Sequence, residues 1–216
     1  WSIINLNSQV CQAIAGNNLI PIFYLEKLVF SENIEVRKRL AKNKNTPVSC
    51  LEILASDRDF YVRMKVAQNL NTPISCLEKL ARDENNKVRI EVAKNPNTSS
   101  KILEKLAADR DYYIRASVAE NFITSVSCLD KLATDEIFLI RTSVAKNPNI
   151  SVSCLDKLAR DENFYVRTSV AKNPNTPLDL FKELVNNSDP IVRTEIIKNP
   201  NIILSDSKKS CILRSM

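Results

Sequence analysis

Apolar positions in this chain recur with a long period as well as a local one. Leu25, Leu51, Leu77, Leu103, Leu129, Leu155 and Phe181 share one register. Leu28, Leu54, Leu80, Leu106, Leu132, Leu158 and Leu184 share a second, and Val36, Val62, Val88, Ile114, Ile140, Val166 and Val192 a third, each step being 26 residues. Self-similarity at a fixed period of about 20–50 residues marks stacked supersecondary units. Full units begin at Leu19, Asn45, Asn71, Asn97, Ile123, Asn149 and Asn175. The expected organisation is therefore a partial N-terminal repeat or cap over 1–18, seven repeats over 19–200, and a partial C-terminal repeat or cap over 201–216.

The unit Asn71–Pro96 shows the local design. Thr72-Pro73 reads as a helix start, with a capping hydroxyl followed by proline at the first helical position. Leu77, Leu80 and Ala81 follow at helical spacing. Asp83 to Asn85 break the pattern, and Asn85 is placed to cap a second helix that carries Val88, Val92 and Ala93 on one face. Asn95-Pro96 ends it, because the residue before proline avoids the α region. Two helices of about nine or ten residues per unit are expected. Neither is stable alone at such a length, so stability must come from stacking units around a continuous core.

The strings N-P-N-T-P, L-x-x-L-A-x-D and V-R-x-x-V-A-x-N-P, fullest over Asn71–Pro96 and Asn147–Pro174, resemble the leucine-rich repeat variant family within the wider HEAT-like group. The resemblance implies an all-α, right-handed α-solenoid in which one helix of each pair is often 3₁₀. It also implies a repeat scaffold. Some members carry an N-terminal iron–sulfur cluster, but the cysteine cluster that would hold it is not present in this sequence, so no cofactor is inferred.

Composition narrows the chemistry. Gly16 is the only glycine, which disfavours hairpin-rich folds that need residues at positive φ; asparagine is the next best residue for such positions. Histidine is absent, which removes the commonest general base and zinc ligand. No apolar run reaches the roughly 18 residues of a membrane span. Of six cysteines, Cys50, Cys76, Cys128 and Cys154 share a register that Ile102 and Leu180 fill in other units. A position that accepts Cys, Ile or Leu is a packing position, since free cysteine behaves as a small hydrophobe. Retained thiols point to a reducing, cytoplasmic compartment.

Arginine recurs once per unit, at 37, 63, 89, 115, 141, 167 and 193. Six residues before it stand Asp57, Asp83, Asp109, Asp135 and Asp161, with Ser31 and Asn187 in the outer units. A phosphate-binding arginine row is one reading. The regular carboxylate favours another, a structural ladder of Arg63, Arg89, Arg115, Arg141 and Arg167 with the five aspartates, tying helix to loop and unit to unit. Asparagines at 17, 43, 69, 95, 121, 147, 173 and 199 close the second helices, where tolerance of the left-handed region is useful. Another set, at 45, 71, 97, 149, 175 and 201, opens the next units.

The variable positions carry the functional information. With Val62 and Val66 buried, positions 61, 64 and 68 and their equivalents point the opposite way. That face carries Tyr61, Tyr113 and Tyr165, with Lys87, Leu139 and Ile191 between them, and mostly lysine, including Lys94, Lys146 and Lys172, along its other edge. Exposed tyrosine is enriched at interfaces, although these rings could instead pack between units. Phe60, Tyr112, Phe138 and Phe164 lie more laterally and are expected between units. With no nucleophile beside a base, no phosphate loop and no metal set, the expectation is not an enzyme but a protein-binding scaffold. Nucleic-acid binding through the lysine rows is the alternative, weakened by Glu35, Glu91, Glu120 and Glu195 among them. No membrane partner and no small-molecule substrate are inferred.

Overall fold

Each 26-residue unit folds as two short α-helices followed by a short loop. The structure, a computed structural model, describes residues 8–186 and 189–201. The remainder of the two expected terminal caps, with Asn187 and Cys211, lies outside the described residues. Fifteen helices and no strand occur among the described residues. The chain divides into two compact bodies, Trp1–Leu106 and Ala107–Met216, a boundary that falls inside the repeat beginning at Asn97.

The first body contains α1 (Ser8–Gly16), α2 (Ile22–Leu28), α3 (Ile34–Lys42), α4 (Val48–Leu54), α5 (Phe60–Gln68), α6 (Ile74–Leu80), α7 (Asn86–Lys94) and α8 (Ser100–Leu106). The second contains α9 (Tyr112–Glu120), α10 (Val126–Leu132), α11 (Phe138–Lys146), α12 (Val152–Ala159), α13 (Phe164–Lys172), α14 (Leu178–Val185) and α15 (Pro190–Lys198). In each body the second helices of successive repeats pack on one another, α1 on α3, α3 on α5 and α5 on α7, then α9 on α11, α11 on α13 and α13 on α15. This is α-solenoid architecture. Both helices of a repeat are α-helical, not 3₁₀. The first spans seven or eight residues and the second nine, so the first helix is shorter than its pattern suggested.

All three apolar registers are buried. Leu51, Leu77, Leu129 and Leu155 are fully inaccessible, as are Val62, Val88, Ile114, Ile140, Val166 and Val192. Proline begins several first helices without a side-chain cap: Pro47, Pro73 and Pro177 stand at the N-cap. Its fixed φ suits that position. Where serine replaces it, at Ser125 and Ser151, the hydroxyl accepts from the amides of Cys128 and Cys154. Thr72 is therefore not the cap that its place before Pro73 suggested. Its hydroxyl donates backwards to the carbonyl of Val66 at 2.6 Å, closing the preceding helix. Thr46, Thr98, Thr124 and Thr176 do the same for Leu40, Val92, Val118 and Val170.

Second helices are capped by side chains, as Asn85 promised: its Oδ1 accepts from the amide of Lys87 at 2.9 Å. The closing asparagines depart from expectation. None of the described non-glycine residues has positive φ, and Asn69, Asn95 and Asn147 are extended. Their role is to join repeats. Asn69 Nδ2 donates to the carbonyls of Ala41 at 2.8 Å and Asn43 at 3.0 Å, and its Oδ1 accepts from the amide of Asn71. Asn147 treats Ala119, Asn121 and Asn149 the same way. The second asparagine set reaches back too, with Asn97 and Asn175 donating to the carbonyls of Leu70 and Pro148. Buried carbonyls that no helix satisfies are thus paired by the neighbouring repeat.

Candidate functional site

The arginine and aspartate registers meet differently from the spacing that first linked them. Arg63 Nη1 donates to the backbone carbonyl of Asp57, six residues earlier, at 2.8 Å. The carboxylate it binds belongs to Asp83, twenty residues later, with Nε–Oδ2 at 2.6 Å and Nη2–Oδ1 at 2.9 Å. Arg37 with Asp57, Arg115 with Asp135 and Arg141 with Asp161 form the same bidentate pair. Arg89 and Arg167 make the same backbone contact, to the carbonyls of Asp83 at 2.7 Å and Asp161 at 2.6 Å. Each aspartate also accepts the amide two residues on, as Asp109 does from Asp111 at 2.9 Å. Hydrogen bonding to the aspartates raises the pKa of Arg37, Arg63, Arg115 and Arg141 against the opposing effect of burial. These guanidinium groups are committed to carboxylates and carbonyls and present no open fork to a ligand.

The cysteine register is buried at Cys50, Cys76, Cys128 and Cys154, and Cys50, Cys76 and Cys154 take part in no disulfide. Burial, reinforced by the charge of Asp130, pushes the Cys154 thiol up to about 12. Burial with Glu26 raises Cys50, and burial with Glu52 raises Cys76. These are unreactive thiols at neutral pH. Among the described residues no cluster of three His, Cys, Asp or Glu is arranged to hold a metal ion, and no helix is long and apolar enough to cross a membrane.

The second-helix face is partly as expected. In the first body Tyr61 is exposed, and Lys87 and Lys94 are exposed beyond it. In the second, Tyr113 is 57% and Tyr165 53% exposed, with Leu139 and Ile191 also exposed, and Lys146 and Lys172 at the helix ends. The middle row does not face outward. Thr142 and Thr168 are buried, and Met64, Ile90, Ala116 and Thr194 are half-buried, because adjacent second helices close over them. The lateral aromatics pack mainly on the tyrosine of their own helix: Phe60 on Tyr61 and Phe164 on Tyr165 at 4.0 Å, and Tyr112 on Tyr113 at 4.1 Å. Two bridge repeats: Phe138 stacks on Tyr165 at 6.0 Å, and Lys87 Nζ lies 5.8 Å from the centre of the Phe60 ring. The caps orient the row directly, since Asp59, Asp111 and Asn163 accept from the amides of Tyr61, Tyr113 and Tyr165.

No protein-family model matches the chain, and no curated protein matches it. A solved structure described as a leucine-rich repeat variant with a novel repetitive structural motif is 26% identical, with a TM-score of 0.66 over 99% of this chain and 88% of its own. The fold is that of a leucine-rich repeat variant. The Escherichia coli protein YibA, 15% identical with a TM-score of 0.52 over 100% of this chain and 93% of its own, shares the architecture alone. One exposed apolar register, present in each body, was not foreseen. Ile22, Val48, Ile74, Val126, Val152 and Leu178, the first residues of the first helices, are all exposed. Their shared register was visible in the sequence, but their exposure depends on how tightly the loops cover each helix start.

Proposed function

We propose that the chain is a non-catalytic repeat scaffold that binds a protein partner through the exposed edge of its second helices. The observation that carries this reading is Tyr165. Its ring packs against Phe164 at 4.0 Å and stacks on Phe138 at 6.0 Å, which restrains it, yet more than half of its surface faces water. A large amphipathic ring held rigid on a helix loses little entropy on binding. Tyr113, Leu139 and Ile191 extend this edge within the second body. The likeness to repeat proteins supports a scaffold role, and the buried thiols fit a reducing, cytoplasmic setting.

A nucleic-acid surface is less well supported. Glu195 pairs with Lys198 at 3.0 Å and lies 3.8 Å from Lys172, and Glu120 stands on the same edge, so carboxylates interrupt the phosphate track. The test is capture from native lysate on the immobilised chain, with and without nuclease, by wild type and by Tyr113→Ser/Tyr165→Ser. The expected result is a protein retained after nuclease and lost with the variant, since interface tyrosines typically contribute about 2 kcal/mol or more each. Loss of every partner after nuclease would favour nucleic acid, and equal capture by both proteins would move the interface elsewhere.

A further inference from the structure

In the first body a cleft of about 470 Å³ is lined by Lys38, Arg39, Lys42, Lys65, Glu35 and Gly16, among others. Four cations face one carboxylate there. Glu35 is engaged by Lys38, Nζ to Oε1 at 2.7 Å, and Lys65 donates to the neutral Gln68 at 2.9 Å. Arg39 Nη1 stands 3.7 Å from where a β-carbon at Gly16 would lie, so its guanidinium sits beside the end of α1. Cations brought together by folding repel one another, and a bound anion relieves that repulsion. The cleft also borders an apolar surface: Lys38 Nζ sits 5.5 Å from the centre of the exposed Tyr61 ring.

We propose that this cleft receives a carboxylate-rich segment of a protein partner, with an apolar residue of that segment against Tyr61. The proposal rests on the protein-binding reading above and specifies the partner's chemistry. Carboxylates are favoured over phosphates for two reasons. Three of the four cations are lysines, flexible point charges that adapt to acidic groups spread along a chain, whereas phosphate is matched best by arginine forks or helix N-terminal amides. Arg39 and Lys42 stand instead in the last turn of α3, where the helix presents its negative end and a phosphate dianion would be opposed more strongly than single carboxylates.

The test uses the full chain and a fluorescein-labelled oligoglutamate peptide carrying one central tryptophan, with oligothymidylate of equal charge as the comparison. Lys42→Glu/Lys65→Glu is expected to weaken peptide binding by roughly tenfold or more. Lys42→Gln/Lys65→Gln is expected to fall between that variant and wild type, with both variants melting like wild type. Tyr61→Ser is expected to weaken the peptide severalfold. Absence of peptide binding by wild type, equal affinity of wild type and the charge-reversed variant, or tighter binding of oligothymidylate would each overturn the proposal. Capture by the second body's tyrosines is read separately. If it persists while the peptide fails, only the cleft assignment falls; if capture fails as well, the protein-binding reading falls with it.

Discussion

Arg115 donates from Nε to Oδ2 of Asp135 at 2.7 Å and from Nη2 to Oδ1 at 3.1 Å, joining consecutive repeats through side chains that are 13% and 10% exposed. Removing one member of such a pair leaves the other charge buried without compensation. Arg115→Ala is therefore expected to destabilise the chain by about 3 kcal/mol or more, measured by urea denaturation. Asp135→Ala is expected to cost a similar amount, and the double variant less than the sum of the two. Single variants within 0.5 kcal/mol of wild type, the usual range of a neutral surface change, would show that the pair carries no structural load.

The same pair sets a pH dependence. Burial pushes the Asp135 carboxyl up, but hydrogen bonds from Arg115 and from the Ile137 amide, with the charges of Arg115 and Arg141, outweigh it and leave the pKa below the ordinary aspartate value. A carboxyl depressed in the folded state contributes stability that is fully present above its unfolded pKa of about 3.9 and is lost as pH falls through the folded value. Wild type is expected to lose stability below about pH 4 more steeply than Asp135→Asn. Denaturation curves at pH 6 and pH 3 test this, and parallel losses in the two proteins would contradict it.

Asn147 holds the buried carbonyls of Ala119 at 2.7 Å and Asn121 at 3.0 Å. Asn147→Ala removes the donor to Ala119 and one of two donors to Asn121, whose carbonyl keeps the Thr124 amide, at about 1–3 kcal/mol for the unsatisfied group. Asn147→Asp keeps the shape but replaces the donor with an anionic oxygen facing two carbonyl oxygens, so at neutral pH it is expected to cost more than alanine. Amide exchange at Asn149, whose N–H bonds to Oδ1 of Asn147, is expected to accelerate in the alanine variant. An aspartate variant as stable as wild type would show that this donor does not join the repeats.

The buried cysteine register predicts slow thiol chemistry. At pH 8, Cys154, with its thiol near 12, is expected to react with a disulfide reagent about a hundredfold or more slower than an unhindered thiol. Cys50 and Cys76 are expected to be slow as well, and all three to react rapidly in denaturant. Fast native labelling at Cys154, located by peptide mass mapping, would mean that the helix opens far more readily than its packing implies.

Much of the fold was legible before any coordinates. Leu77, Leu80 and Val88 recur at fixed intervals because every repeat must bury the same faces, and Asn85 announces its helix because a capping side chain acts on an amide two residues away. The cysteine register was readable for the same reason, since exchange with Ile102 and Leu180 is itself evidence of packing. Less of the candidate site could be read. Helical geometry points Tyr113 and Tyr165 outward, and both are exposed, but it points Thr142 and Thr168 outward as well, and these are buried, because a single-helix projection does not contain the next helix.

The sequence by itself determined the period, the helix pairs, the core registers and the arginines and aspartates that join repeats. Only the tertiary structure decided which residues they join. In a chain of period 26, the position six before an arginine and the position twenty after it belong to the same register, so Asp57 and Asp83 are equivalent partners for Arg63 until the units are stacked. The same holds for Thr72 and Asn69. Their partners lie across a loop or in a neighbouring repeat, and the choice depends on the rise and rotation from one repeat to the next. Those quantities come from the packing of whole helices against each other, and periodicity along the chain does not contain them.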